Sequence, residues 1–221
     1  MIVPSTLLQR KSILIGVDRM KKIHTQIETE LIASDDGKHT YEVIKRLSGV
    51  EGESGYLISL YPTRNETNIF SNDSTLNHIV SHMSELGFNE LHLINLFSMV
   101  VSTKISSKGL KGDEENMKYI ENLMKESDFK KCKFIVAWGN SMVSSKAVQL
   151  SKLNIFNLYK KHCPKNKIYQ LTTVGKVLES DVAPHPLYLG IRANNAVWGL
   201  KEFKLSDNTT VKEIVKSKKK S

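Results

Sequence analysis

Short apolar runs stopped by proline, glycine or polar residues alternate along this chain with segments of helical period, and few folds accommodate that alternation. The runs are Gly55 to Leu60, Glu90 to Phe97, Lys133 to Trp138 and Lys167 to Thr172. Apolar runs of this length bounded by breakers read as buried strands. Between them, Leu76, Ile79, Val80, Met83 and Leu86 recur every three or four residues, with Asn72 or Asp73 as N-cap and Gly87 as the stop. Met117, Ile120, Leu123 and Met124 repeat the pattern behind Asp113, Glu114 and Glu115, which suit the positive end of a helix dipole. A third helix is predicted from Asn140 or Ser141, carrying Val143, Ala147, Val148 and Leu150. Strands alternating with helices imply an α/β fold with a mostly parallel central sheet covered on both faces.

In such sheets ligands bind outside the carboxyl ends of the strands. Pro62, Asn95, Gly139 and His185 all fall at or after those ends, so the pattern predicts that they converge. His185 lies between Pro184 and Pro186. Proline fixes its own φ and restricts the residue before it, so this imidazole is held in place, either for chemistry or as an ordinary turn.

The first fifty residues differ. Ile23, Thr25, Ile27, Thr29 and Leu31 alternate with polar residues, as do Tyr41 and Val43, and Asp35-Asp36-Gly37-Lys38 suits the turn of an antiparallel hairpin. Pro4 to Arg19 reads equally as helix or strand. Ala196 to Leu200 is a further short strand. With 40% hydrophobic residues in 221, one sizeable core is expected. Within it, residues 1–50 form an N-terminal extension and hairpin, 51–205 the α/β unit, and 206–221 a basic tail. No run reaches membrane-spanning length and no secretory signal is recognisable. Cys132 and Cys163 lack metal-type spacing and read as reduced thiols of a cytoplasmic protein. His78 and His82 lie four apart on a helix, but without a carboxylate motif they read as solvent-facing rather than as metal ligands. Neither metal nor cofactor is expected.

The net charge of +9 favours a polyanionic partner. Its sources are the tail residues Lys216, Lys218, Lys219 and Lys220, the knot Lys130, Lys131 and Lys133, and the knot Lys160, Lys161, Lys165 and Lys167. Such runs are either solvated surface or a phosphate-binding face beside the converged residues.

The ordered set Leu60-Tyr61-Pro62-Thr63, Asn72-Asp73-Ser74-Thr75, Asn95-Leu96-Phe97, Ala137-Trp138-Gly139, Leu171-Thr172 with Gly175, and His185-Pro186-Leu187-Tyr188 resembles an uncharacterised bacterial family of unknown function that is often carried on mobile elements. The resemblance covers roughly Tyr41 to Leu189. More distantly, the same order resembles the uracil-DNA glycosylase superfamily. Tyr61-Pro62 falls on its first motif, Asn95 on its base-reading asparagine, Trp138-Gly139 on a strand end and His185-Pro186 on its histidine motif. The resemblance implies a three-layer α/β/α fold, a pocket for a flipped-out base, and a nucleic-acid partner, DNA rather than RNA. In that setting Tyr61, Pro62, Asn95, Phe97, Trp138 and Gly139 would bind the base, and Arg64 with the tail lysines would bind phosphate.

Glycosidic cleavage requires extruding the nucleotide and stabilising negative charge on the departing base. A neutral His185 can donate a hydrogen bond to a base oxygen, and the Asn95 carboxamide offers a donor and an acceptor to a base edge. Asn95 reads equally as a buried amide serving the loop backbone. The first motif departs from the superfamily: active glycosylases have Asp or Asn there, and a tyrosine such as Tyr61 is not a base at neutral pH. Asp73 is a substitute carboxylate or a helix N-cap. Three functions fit: a base-recognising nucleic-acid binder with weak, altered or no glycosylase activity, a hydrolase using Asp73 with His185, and a non-catalytic module with a protein partner.

Overall fold

The computed structural model describes residues 21–63, 69, 73–101, 112–175, 183–193 and 195–204. Arg64, the segment from Pro4 to Arg19 and the tail lysines 216–220 lie outside them.

Seven strands form one sheet: β1 (Ile27–Ala33), β2 (Thr40–Leu47), β3 (Glu53–Ser59), β4 (Phe88–Asn95), β5 (Lys133–Val136), β6 (Ile168–Thr173) and β7 (Trp198–Glu202). Their order is β1-β2-β4-β3-β5-β6-β7. The central strands β4, β3, β5 and β6 are mutually parallel. The expected mostly parallel sheet needs correction, because the β1–β2, β2–β4 and β6–β7 pairings are antiparallel. The tight turn after β1 sends β2 straight back to pair with β4. There Gly37 adopts φ +66° and Asp36 Oδ1 accepts from the Ser34 hydroxyl and the Lys38 amide.

The helices are α1 (Ser74–His82), α2 (Glu114–Lys125), α3 (Lys146–His162) and α4 (Pro186–Arg192). α4 lies in the connection between β6 and β7. The Val174 amide donates to the Val197 carbonyl at 2.8 Å, so the chain re-enters the sheet beside the end of β6 and β7 returns antiparallel.

Strand parity divides the core. Tyr56, Ile58, Phe134 and Val136 pack with Ile120 and Met124 of α2 and with Ile155, Phe156 and Tyr159 of α3. Leu57, Leu91, Leu93 and Ile135 pack with Leu76 and Ile79 of α1 and Leu189 of α4. The caps follow simple chemistry. Asp73 caps α1 by accepting from the Leu76 amide at 2.8 Å, and Asp113 caps α2 through the Asn116 amide at 3.0 Å. The third helix begins later than expected, because Ser145 supplies the cap through the Val148 amide and Gly139 and Met142 take positive φ before it. His78 and His82 are not solvent-facing. The His78 ring lies under Gly190, and His82 stacks on Trp198 with centroids 3.9 Å apart. Cys132 and Cys163 are free.

A polar chain fastens the hairpin to the parallel strands. The Tyr119 hydroxyl donates to Glu42 Oε2 at 2.6 Å, Glu42 Oε1 meets His92 Nδ1 at 2.6 Å, and His92 Nε2 meets Glu90 Oε1 at 3.0 Å. Glu90 Oε2 accepts from Arg46 Nε at 2.5 Å. Burial alone would depress the His92 imidazole, but the bonds to Glu42 and Glu90 outweigh it and hold the pKa above its usual value. Burial would likewise raise Glu90, yet His92 and Arg46 hold it lower.

A raised folded pKa at His92 means that its stabilisation is complete below the ordinary imidazole range, about 6.5, and is lost as pH rises through the folded value. The depressed Glu90 contributes above its ordinary range and loses its contribution as pH falls. Thermal melts of wild type and His92→Gln between pH 6 and 9 check this. The wild-type midpoint is expected to drop further on the alkaline side, by about 2–4 °C per kcal/mol lost, and parallel curves would refute it.

Candidate functional site

Parallel strands that end together leave a concave rim, and the rim here holds a cavity of about 310 Å³. Its floor is apolar, with Leu60, Pro62, Leu76, Ile79, Ile94 and Trp138. Its polar groups are Ser59, Tyr61, Thr63, Asp73, Thr75, Asn95, Ser141 and His185. Among the described lining residues there is no lysine or arginine, so a single carboxylate, Asp73, is the only formal charge beside the titratable imidazole. Residues separated by more than a hundred positions, Tyr61 and His185 among them, thus share one wall-lined space.

His185 is fixed more closely than its flanking prolines alone require. It caps α4, and its Nδ1 accepts from the Leu187 amide at 3.2 Å. An acceptor at Nδ1 places the proton of the neutral ring on Nε2. Burial pushes the imidazole below its usual pKa, opposed in part by the negative charge of Asp73. The ring at neutral pH is therefore an uncharged N–H donor. Its backbone is clamped from two strands: the Gly139 amide donates to the Ala183 carbonyl at 2.8 Å, and the Ala183 amide donates to Gln170 Oε1 at 2.9 Å. Ala183 itself sits at φ +47°, a conformation that costs a non-glycine residue about 1–2 kcal/mol.

Asn95 ends β4 with 9% exposure. Its backbone carbonyl accepts from Asn116 Nδ2 at 2.8 Å. Its side-chain carboxamide has no hydrogen-bond partner among the described residues, although it lines the cavity. The amide therefore opens into the cavity, where a ligand that enters can reach it. Asp73 does two jobs: Oδ1 caps α1, Oδ2 accepts from the Thr63 hydroxyl, and the carboxylate still faces the cavity.

Trp138 is a buried wall. Phe156 meets it edge-on at 5.6 Å, and the Lys152 ammonium lies 5.1 Å from its ring centre. Lys152 is 3% exposed with no acidic partner among the described residues, and burial pushes its amine down to about 8.

The family described as Protein of unknown function (DUF1643) matches residues 43–187, well over half of the chain. The chain belongs to that family. The DUF1643 match runs from the first lining residue, Val43, to the last, Leu187, so the whole described cavity falls inside it. No curated protein and no solved structure matches the chain.

Pro62, Asn95 and His185 line one cavity, as their places at the strand ends predicted, and Tyr61, Asp73 and Trp138 line it with them. Phe97 does not: its side chain is 2% exposed in the core behind the rim. Gly139 does not line the cavity either. At φ +65° it passes so close to His185 that a Cβ there would stand 3.0 Å from the histidine Cβ. Ser59, Thr63, Thr75 and Ser141 were missed. Each lies within a few residues of a strand end or helix start, which is the signal that would have found them. Of the two readings of the lysine knots, solvated surface is the one that fits their place. Lys133 opens β5 and Lys167 precedes β6, so both stand at the amino ends of the strands, opposite the cavity. Lys131, Lys133, Lys161 and Lys167 pair there with Asp128, Glu53, Glu121 and Glu202.

Among the described residues no His, Cys, Asp or Glu cluster could hold a metal. Ser98, His39 and Asp113 come together, but the wiring is not that of a nucleophile. The Ser98 hydroxyl donates to Asp113 at 2.8 Å, so His39 Nδ1, 2.8 Å away, must donate to the serine rather than take its proton.

Gly139→Ala tests the clamp on His185. Unfavourable φ and the short approach are expected to cost about 1–2 kcal/mol in denaturant unfolding and to shift the His185 imidazole resonances. An unchanged His185 environment would show that Gly139 does not position the ring.

Proposed function

We propose that the cavity receives a nucleobase presented by a nucleic-acid strand, within an architecture of the uracil-DNA glycosylase type. The observation that carries this reading is the convergence of the Asn95 carboxamide, without a partner among the described residues, with a neutral, tautomer-fixed imidazole in one apolar-walled cavity. A planar heterocycle needs flat apolar walls and a few fixed donors and acceptors at its edge. Trp138, Pro62 and Leu76 supply the first, and Asn95 and His185 the second. The parallel centre of the sheet and the two core clusters on its opposite faces support the three-layer arrangement of the resemblance.

The absence of lysine and arginine among the described lining residues favours an uncharged base over a phosphate in the cavity. The phosphodiester backbone then lies outside, and Arg64 and the tail lysines are the groups proposed to meet it. Binding without efficient base excision is the preferred form. By the resemblance Tyr61 falls on the first motif, where active glycosylases carry Asp or Asn, and a tyrosine is not a base at neutral pH. Hydrolysis is the second reading, favoured by the electrostatic coupling between Asp73 and His185; there the carboxylate orients a water and the imidazole stabilises the departing base. A protein partner for the basic surface is the remaining alternative, and it requires no use of the cavity.

Anisotropy titrations of single-stranded, mismatched and fully paired oligonucleotides at two salt concentrations, beside a base-release assay on the same substrates, separate these. The expected result is tightest binding where a base is unpaired, weakened about ten-fold or more in Asn95→Ala, with little or no release. Release abolished by both His185→Ala and Asp73→Asn would establish the hydrolase instead. Binding that follows salt alone and ignores Asn95 would refute base recognition.

A further inference from the structure

The geometry points to a guanine-type edge as what this cavity selects: an oxo group, a ring N–H and an amino group in a row. This rests on the base-binding reading and sharpens it. Three groups fix the pattern. His185 is an imposed donor, because the Leu187 amide occupies Nδ1 and leaves the proton on Nε2. Asp73 is an imposed acceptor, and its existing bonds define what remains. Oδ1 takes the Leu76 amide and Oδ2 takes the Thr63 hydroxyl. A carboxylate has about four acceptor positions, so one stays available on each oxygen. Two adjacent acceptors on one rigid carboxylate match two parallel N–H donors on one ligand edge.

Among the common bases only guanine presents that pair, N1–H beside the 2-amino group, next to an oxo group for the imidazole. Uracil and thymine present a lone N–H between two oxygens, one of which would face the carboxylate. Adenine and cytosine have no adjacent donors of this kind. The Asn95 carboxamide adapts to any of these edges, since it carries both a donor and an acceptor. It therefore contributes affinity without deciding among them. The carboxylate decides because no cationic side chain among the described lining residues offsets it.

The test uses the full chain and free nucleosides, so that strand contacts do not enter. Guanosine, inosine, adenosine, cytidine and uridine are titrated by calorimetry against wild type and Asp73→Asn. Inosine is the decisive comparison, because it keeps the oxo group and N1–H and lacks only the amino group. Asparagine is itself a good N-cap, so the variant keeps α1, and its thermal unfolding verifies that it folds. A hydrogen bond to a charged group contributes about 1.5–3 kcal/mol, so guanosine is expected to bind about ten- to hundred-fold tighter than inosine or uridine. In Asp73→Asn that ratio is expected to fall to near one. Uridine or inosine binding as tightly as guanosine overturns the selection while leaving base binding intact, and so does a guanosine-to-inosine ratio unchanged in Asp73→Asn. If neither nucleosides nor oligonucleotides bind, base recognition itself is refuted.

Discussion

Parallel pairing forces every connection between the central strands to cross from one end of the sheet to the other. All four central strands therefore present their carboxyl ends to the same rim, and whatever follows each strand is delivered there. Tyr61 and Pro62 follow β3, Asn95 closes β4, and Trp138 follows β5. The antiparallel strands at the margins do not disturb this. They extend the sheet outward, and β2 adds Val43 to the lining of the cavity that forms at the rim of the parallel centre.

His185 is the exception, because it reaches the rim through a loop and not from a strand end. Its position depends on Ala183, whose backbone is held on either side by the Gly139 amide and the Gln170 side-chain carboxamide. Ala183 is kept at a conformation that alanine avoids, and the segment would relax without those two bonds. Strain of this kind persists only where surrounding contacts over-determine it. The cap at Leu187 then converts a located ring into a ring with one defined proton. Location comes from β5 and β6, and protonation state from α4 and burial.

Much of this was legible in the residues. The apolar runs gave β3 to β6 within a few positions, because a buried strand of a parallel sheet must be apolar on both faces. The Asp-Asp-Gly-Lys turn announced the hairpin, since its glycine is needed at positive φ. Other features depended on distant partners that no local pattern encodes. The helix after Pro186 is one, since His185 reads as a turn residue until its ring is seen to cap an amide. The late start of α3 is another, because Ser144 and Ser145 are as good caps on paper as Ser141. Phe97 follows the rim asparagine so closely that spacing cannot separate lining from core; the choice is made by Leu60, whose carbonyl accepts the Phe97 amide at 3.1 Å. The lysine knots stayed open between two readings for a different reason. Composition counts charge without saying at which end of a strand it sits.

The amine beneath Trp138 has one more implication. Lys152 stays ionised in the interior against an opposing solvation cost, with an indole face as its compensation and no counter-ion among the described residues. A methionine of similar length would fill the same volume and carry no such cost. An engineer seeking a hardier scaffold would begin there, because Lys152 is not among the residues that line the cavity.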